Sequence, residues 1–116
     1  MGQIIVTMRI HGPSGSADVE ALAYTGATFS KVPRSTIDAV GIEPQYESDI
    51  RLGDGRTVTR SLASAEVEFQ GVRRPVLVAF GADGEQPLIG YTTLEALGFK
   101  VSSVTHTLEP TPAIEY

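Results

Sequence analysis

The chain has no cysteine and no tryptophan, and only four Phe and four Tyr among its 116 residues. Without cysteine there is neither a disulfide framework nor a thiolate metal site, and a reducing compartment is the simple expectation. No apolar run approaches the length of a membrane span, and Met1 to Val6 lacks the basic segment and apolar helix of a leader. A cytoplasmic protein with no membrane partner is expected. Basic residues are also scarce: nine Lys and Arg against fourteen Asp and Glu give a formal charge of -5. They are scattered rather than clustered, which excludes the footprint of a nucleic-acid binder. The two histidines, His11 and His106, are too few and too far apart for a metal site and suit surface or turn positions. No metal and no cofactor is expected.

The length allows a single domain, residues 1–116, with room for one core but not for two lobes. Gln3 to Ile10 and Ala17 to Ala23 read as two strands joined through the turn formers of His11 to Ser16. Pro33 to Val40 reads as a short helix, since Pro suits a first helical turn and Gly41 suits a left-handed closing residue. Ile50 to Arg60 is a hairpin around Asp54-Gly55, a pair suited to positive φ. Ala65 to Phe69 alternates apolar with acidic, as a half-buried strand does, and Gly71 turns it back into Pro75 to Phe80. After a loop at Gly81 to Glu85, a strand through Leu88-Ile89 enters a second helix with a capping box between Thr92 and Glu95. Thr36-Ile37-Asp38-Ala39-Val40-Gly41-Ile42 matches Thr93-Leu94-Glu95-Ala96-Leu97-Gly98-Phe99 in size and polarity at every position, so a helix, a glycine and an apolar restart occur twice. The fold class is mostly β: hairpins with one or two short helices.

The most informative stretch is Ala23-Tyr24-Thr25-Gly26-Ala27. With Asp in place of Tyr24 it would read Asp-Thr-Gly-Ala, the signature of aspartic peptidases. Pro87 to Phe99, two apolar residues and Gly90 ahead of a helix, resembles the other half of the same fold, and Arg51 to Val58 resembles its flap. In this order the pieces resemble the retropepsin-like aspartic peptidases, closely the small single-domain prokaryotic ones, over nearly the whole chain. The tail Leu108 to Ile114 fits as well.

That resemblance implies a half-barrel with one lobe per chain, and a dyad shared by a homodimer that hydrolyses peptides or unfolded proteins. Two carboxylates sharing a proton supply base and acid together. One loop per chain supplies them only on a two-fold axis. The resemblance assigns the catalytic position to Tyr24, a bond across the axis to Thr25, the tight backbone and its amide to Gly26, and room for substrate to Ala27. Gly53, Asp54 and Gly55 would close over the peptide. Leu52, Val76, Leu88, Ile89 and Gly90 would line its pockets, although the apolar ones equally suit plain core packing.

Tyr at the catalytic position removes that chemistry. A phenol, with an ordinary pKa of about 10, keeps its proton where an Asp at about 3.9 is charged. Loss of general acid and base costs on the order of 10² to 10⁴ in rate, and symmetry removes both groups at once. No appreciable hydrolysis is expected from the chain as written. Glu20 lies roughly 13 Å up the same strand face, and Asp18, Asp38, Asp49 and Asp83 fall in segments read as outer strand, helix or loop. Asp54 reads as a turn residue. Two phenols at an axis need more room than two carboxylates, so the rings either swing into the cleft or push the subunits apart.

Three other motifs carry less. Ser14, Ser16 and Ser30 lack a nucleophile elbow and suit turn or cap positions, and Gly53-Asp54-Gly55 lacks the Lys-Ser or Lys-Thr of a phosphate loop. Arg73-Arg74 suits a solvated strand edge. The rival readings are a non-catalytic module that captures extended peptide by strand addition, and a dimerisation domain. Tyr24 is equally compatible with a natural pseudo-enzyme and with a change in a working one.

Overall fold

A computed structural model describes residues 3–116. Met1 and Gly2, the first two residues of the expected single domain, lie outside the described residues. The described residues form β1 (Ile5–Gly12), β2 (Gly15–Ala23), β3 (Ser30–Pro33), α1 (Arg34–Ala39), β4 (Tyr46–Arg51), β5 (Thr57–Phe69), β6 (Val72–Gly81), β7 (Leu88–Ile89), α2 (Tyr91–Leu97), β8 (Phe99–Ser102) and β9 (Thr107–Pro110). The fold is mostly β with two short helices, a half-barrel of hairpins as the sequence predicts.

Alternation builds the core. Met8 and Ile10 on β1, Val19 and Ala21 on β2, and Ala65 and Val67 on β5 point inward, while Arg9, Glu20 and Glu66 between them are exposed. Full burial of one such large side chain is worth about 1.5–3 kcal/mol. The main sheet runs β1-β2-β7-β3-β6-β5-β4, and β1 pairs again with β5 through Ile10 and Val67. This second pairing closes six strands into a ring and leaves β4 outside it. Closure removes the open edges that β1 and β5 would otherwise present.

The 13-residue β5 has two duties. Thr57 to Leu62 pairs with β4 and projects as the outer hairpin, whereas Leu62 to Phe69 pairs with β6 inside the ring. The turn of the outer hairpin is closed by Leu52 N–H donating to Arg56 O at 2.7 Å and Gly55 N–H donating to Leu52 O at 3.0 Å. Gly55 alone takes positive φ, at 89°, and Asp54 does not, contrary to the pair expected there. Asp54 instead accepts from the Arg56 backbone N–H and side chain, which hold its carboxyl below the ordinary range. The loop is a turn followed by a left-handed glycine rather than a two-residue primed turn.

The two halves of the repeat fold alike. Gly41 (φ 82°) and Gly98 (φ 80°) both close their helices in the left-handed region. Ile37, Val40 and Ile42 match Leu94, Leu97 and Phe99 as buried positions. α1 has no side-chain cap of its own, but Asp83 Oδ1 accepts from Ser35 N–H at 3.2 Å and from Ser35 Oγ at 2.8 Å. An acid from the β6–β7 loop thus serves the helix start.

The capping box expected at Thr92 and Glu95 is absent. α2 begins at Tyr91, with Gly90 as N-cap and no side-chain cap bond. Thr92 is therefore already inside the helix, and its hydroxyl donates to Thr28 O at 2.7 Å. The tail pairs as β9 with β8, burying Leu108, and Thr111 N–H donates to Gly98 O at 2.8 Å. Beyond it Ile114 and Tyr116 are exposed. His106 sits in a turn at φ 56°, while His11 is more enclosed than expected, on β1 with Nε2 2.8 Å from Glu68 Oε1.

Candidate active site

The loop Tyr24–Phe29 leaves β2 and returns as β3, and neighbouring backbone holds it at both ends. Ala23 N–H donates to Ile4 O at 2.9 Å and Tyr24 N–H to Ile89 O at 3.0 Å. The loop turns on itself through Ala27 N–H to Tyr24 O at 3.2 Å. From α2, Tyr91 N–H donates to Ala27 O at 2.7 Å and Thr92 N–H to Thr28 O at 3.1 Å. The start of α2 supplies these donors because first-turn amides have no partner inside the helix.

Below the loop, Ser30 Oγ donates to Thr93 Oγ1 at 2.7 Å and accepts from Gly90 N–H at 3.0 Å. Ser30 and Thr93 are fully buried. Gly90 has no freedom for a side chain, since a Cβ there would lie 2.4 Å from the carbonyl carbon and oxygen of Phe29. The sequence pattern of two apolar residues, Gly and helix thus brings β7 and α2 directly against the site loop.

A cleft of about 490 Å³ separates this loop from the outer hairpin. Tyr24, Gly26, Ala27, Thr28, Phe29 and Leu88 line it from the loop side, and Asp49 to Gly53 from the hairpin. Tyr24 is 54% exposed. Its ring folds back over the loop, with the phenol carbon and oxygen 2.8 and 2.9 Å from where a Gly26 Cβ would stand. A side chain at position 26 would therefore displace the ring.

The structure brings Tyr24, Gly26, Ala27, Leu52, Gly53 and Leu88 to one cleft. Thr25 lies exposed at the loop tip, and Asp54 and Gly55 occupy the exposed hairpin tip. Ile89 is core with its carbonyl on Tyr24, Gly90 packs beneath the loop, and Val76 is core opposite Ala65 on β5. Among the acids weighed, Asp49 reaches the cleft, where its Oδ1 accepts from Thr59 Oγ1 at 2.8 Å. Asp18 is paired with Arg9, Asp83 caps α1, and Glu20 and Asp38 are exposed.

A family model described as aspartyl protease matches residues 6–93, from β1 into α2, and so contains both the loop and the outer hairpin. The chain belongs to the aspartyl protease family. No curated protein matches it.

In this aspartyl protease family member the cleft also holds charges that local sequence patterns do not signal. Lys31 and Arg60 line it, and Glu85 reaches both from the β6–β7 loop. Arg60 grips Glu85 in a two-point pair, Nη1 to Oε1 at 3.1 Å and Nη2 to Oε2 at 3.2 Å. Lys31 Nζ is 3.9 Å from Glu85 Oε1, beyond hydrogen-bond range. These bonds from Arg60, with the Ala82 amide and the nearby Lys31 charge, hold the Glu85 carboxyl below the ordinary range. The cluster joins residues from β3, β5 and a loop, so only strand register could have revealed it. No helix among the described residues is long and apolar enough to cross a membrane.

Proposed function

We propose that the chain is a retropepsin-like aspartic endopeptidase domain of the small prokaryotic type, in which Tyr24 occupies the position of the catalytic Asp and leaves the scaffold without hydrolytic activity. The supporting observation is the placement of Tyr24. It stands on a short loop braced by β7 and α2, at the floor of a cleft roofed by a turn-tipped hairpin. That is the geometry needed to hold an extended peptide between a flap and a reacting group.

Hydrolysis through a proton-sharing pair requires two carboxylates a few ångströms apart. The cleft offers Asp49 alone, on the opposite wall and engaged by Thr59. In the active arrangement two chains meet about a two-fold axis at position 24, with Thr25 and Gly26 at the contact, and the working site belongs to a cytoplasmic homodimer. The exposed loop tip is compatible with such a contact. The Tyr24 ring, lying over Gly26 and into the cleft, favours a blocked groove over subunits forced apart.

The test compares the chain as written with Tyr24→Asp on an unfolded protein substrate from about pH 4 to 7, with and without a statine-type inhibitor. Inhibitor-sensitive cleavage is expected only from the Asp form, together with a molecular size that rises with concentration. Cleavage that co-purifies with the chain as written would overturn the inactive assignment. Silence from both forms would overturn the peptidase assignment and leave the peptide-binding module or dimerisation domain.

A further inference from the structure

The chain carries a net charge of -5, yet its cleft does not share that sign. Three basic side chains, Lys31, Arg51 and Arg60, line it against one acid, Asp49. Arg51 and Asp49 stand on β4, at the hairpin side. Lys31 and Arg60 are different, because both are largely enclosed, with side chains 18% and 15% exposed. Two enclosed cations share the single carboxylate of Glu85, and Arg60 takes both of its oxygens. Lys31 is left facing the cleft with its ammonium 3.9 Å from that carboxylate.

This placement is built rather than incidental. The Lys31 stem lies across Gly81, where a Cβ would come within 2.8 Å of Lys31 Cγ. Gly81 is the register partner of Pro33, and Lys31 lies between Leu88 on β7 and Ala79 on β6. Enclosing a cation next to a carboxylate already occupied by another cation is costly unless a further anion arrives. A ligand carboxylate would meet an ammonium with donors to spare and form a charge-assisted bond.

Position also selects which part of a ligand arrives there. The strand order β2-β7-β3 puts Lys31 two strands from the end of β2 that carries Tyr24, about 10 Å at the usual spacing. An extended peptide covers that distance in about three residues.

We infer that the cleft contains an acid-selecting subsite, in which Lys31, supported by Arg60, binds an Asp or Glu side chain within three residues of the reacting position of an extended peptide. This rests on the proposed peptidase reading of the cleft and adds its substrate class. Arg60 is a positioning residue in this account: it holds Glu85 and so keeps that carboxylate from closing fully onto Lys31.

The experiment uses fluorescent decapeptides in pairs that differ only by Glu or Gln at one position. Binding to the full chain carrying Tyr24→Asn, which takes the ring out of the groove without supplying a carboxylate, is followed by anisotropy, and cleavage by Tyr24→Asp is followed as kcat/KM. A preference for Glu on the order of tenfold is expected at one position. It should weaken with added salt and disappear in Lys31→Met, which keeps the stem length over Gly81. Circular dichroism of Lys31→Met confirms that the fold is retained, and Lys31→Gln serves if it is not.

Cleavage by Tyr24→Asp of Glu and Gln peptides within about twofold of each other would overturn the subsite while leaving the peptidase reading intact. So would a Glu preference that survives in the Lys31 variants. Peptides neither bound nor cut by either form would overturn both together.

Discussion

Replacing Ser30 with Ala should destabilise the fold far more than removal of one oxygen suggests. Its hydroxyl makes two bonds in a fully buried place, donating to Thr93 Oγ1 at 2.7 Å and accepting from Gly90 N–H at 3.0 Å. Among the described residues no buried side-chain polar atom lacks a partner, so the native state carries no such cost to begin with. Ser30→Ala strands the Gly90 amide and leaves the Thr93 hydroxyl without its donor. Each stranded buried group costs about 1–3 kcal/mol. A loss of about 2–4 kcal/mol follows, a large part of the roughly 5–15 kcal/mol that holds a domain together.

Thr93→Val should cost less, about 1–2 kcal/mol, because Ser30 still accepts from Gly90 and only its own proton loses a partner. The two changes share one bond, so the double variant should cost less than their sum by at least about 0.5 kcal/mol. The assay is urea unfolding followed by far-UV circular dichroism, since the chain has no Trp to report by fluorescence. With a slope of about 1–3 kcal/mol per molar urea, Ser30→Ala should lower the midpoint by at least about 0.7 M. A loss below about 0.5 kcal/mol, as for an ordinary surface change, or a strictly additive cycle would refute the bonding argument.

Two other outcomes follow from the same structure. Glu85 has its carboxyl held below the ordinary value of 4.5, first by Arg60, so its contribution to stability is present above that value and is lost as pH falls through the lower folded value. Glu85→Gln should therefore lower the urea midpoint near neutral pH and flatten its decline in acid; an unchanged acid limb would contradict the assignment. Gly98→Ala should cost about 1–2 kcal/mol for a left-handed Cβ, and Gly41→Ala more, because its Cβ would also stand 2.4 Å from Ser14 Oγ and 3.2 Å from Ser14 N. The reverse order in thermal or urea unfolding would count against the account.

What could be read from the sequence was whatever neighbours along the chain decide. The alternation of Ala65 to Phe69, the glycines at 41 and 98, and the paired helices around Ile37 and Leu94 are local patterns, and the structure matches them. The errors arose where a partner distant in sequence took over a local group. The local pattern puts Thr92 at the cap of its own helix, but the site loop offers Thr28 O and the helix starts two residues too early for a box. The Ser30 bond to Thr93 joins residues 63 apart, and the Arg60 pair with Glu85 joins residues 25 apart. Their meeting depends on β3 lying between β6 and β7, an arrangement no short window contains. Ser30 was read as a turn or cap residue for the same reason.

The division between frame and chemistry at position 24 follows from which atoms do the holding. The bonds that fix the loop there use its own backbone atoms: Tyr24 N–H to Ile89 O, Ala27 N–H to Tyr24 O, and the α2 amides and Thr92 hydroxyl to the Ala27 and Thr28 carbonyls. The side chain contributes to none of them, and the ring is half exposed over Gly26, whose missing Cβ makes room for it. A carboxylate at this position would be smaller, would leave these backbone bonds in place, and would vacate the cleft that the ring now occupies. The loop is thus specified by Gly26, Gly90, Ser30 and the start of α2, whereas under the proposed peptidase reading its acid–base capacity would rest on the side chain of residue 24. On that reading, selection acting on stability would see little difference between Tyr and Asp there, and selection acting on hydrolysis would see all of it.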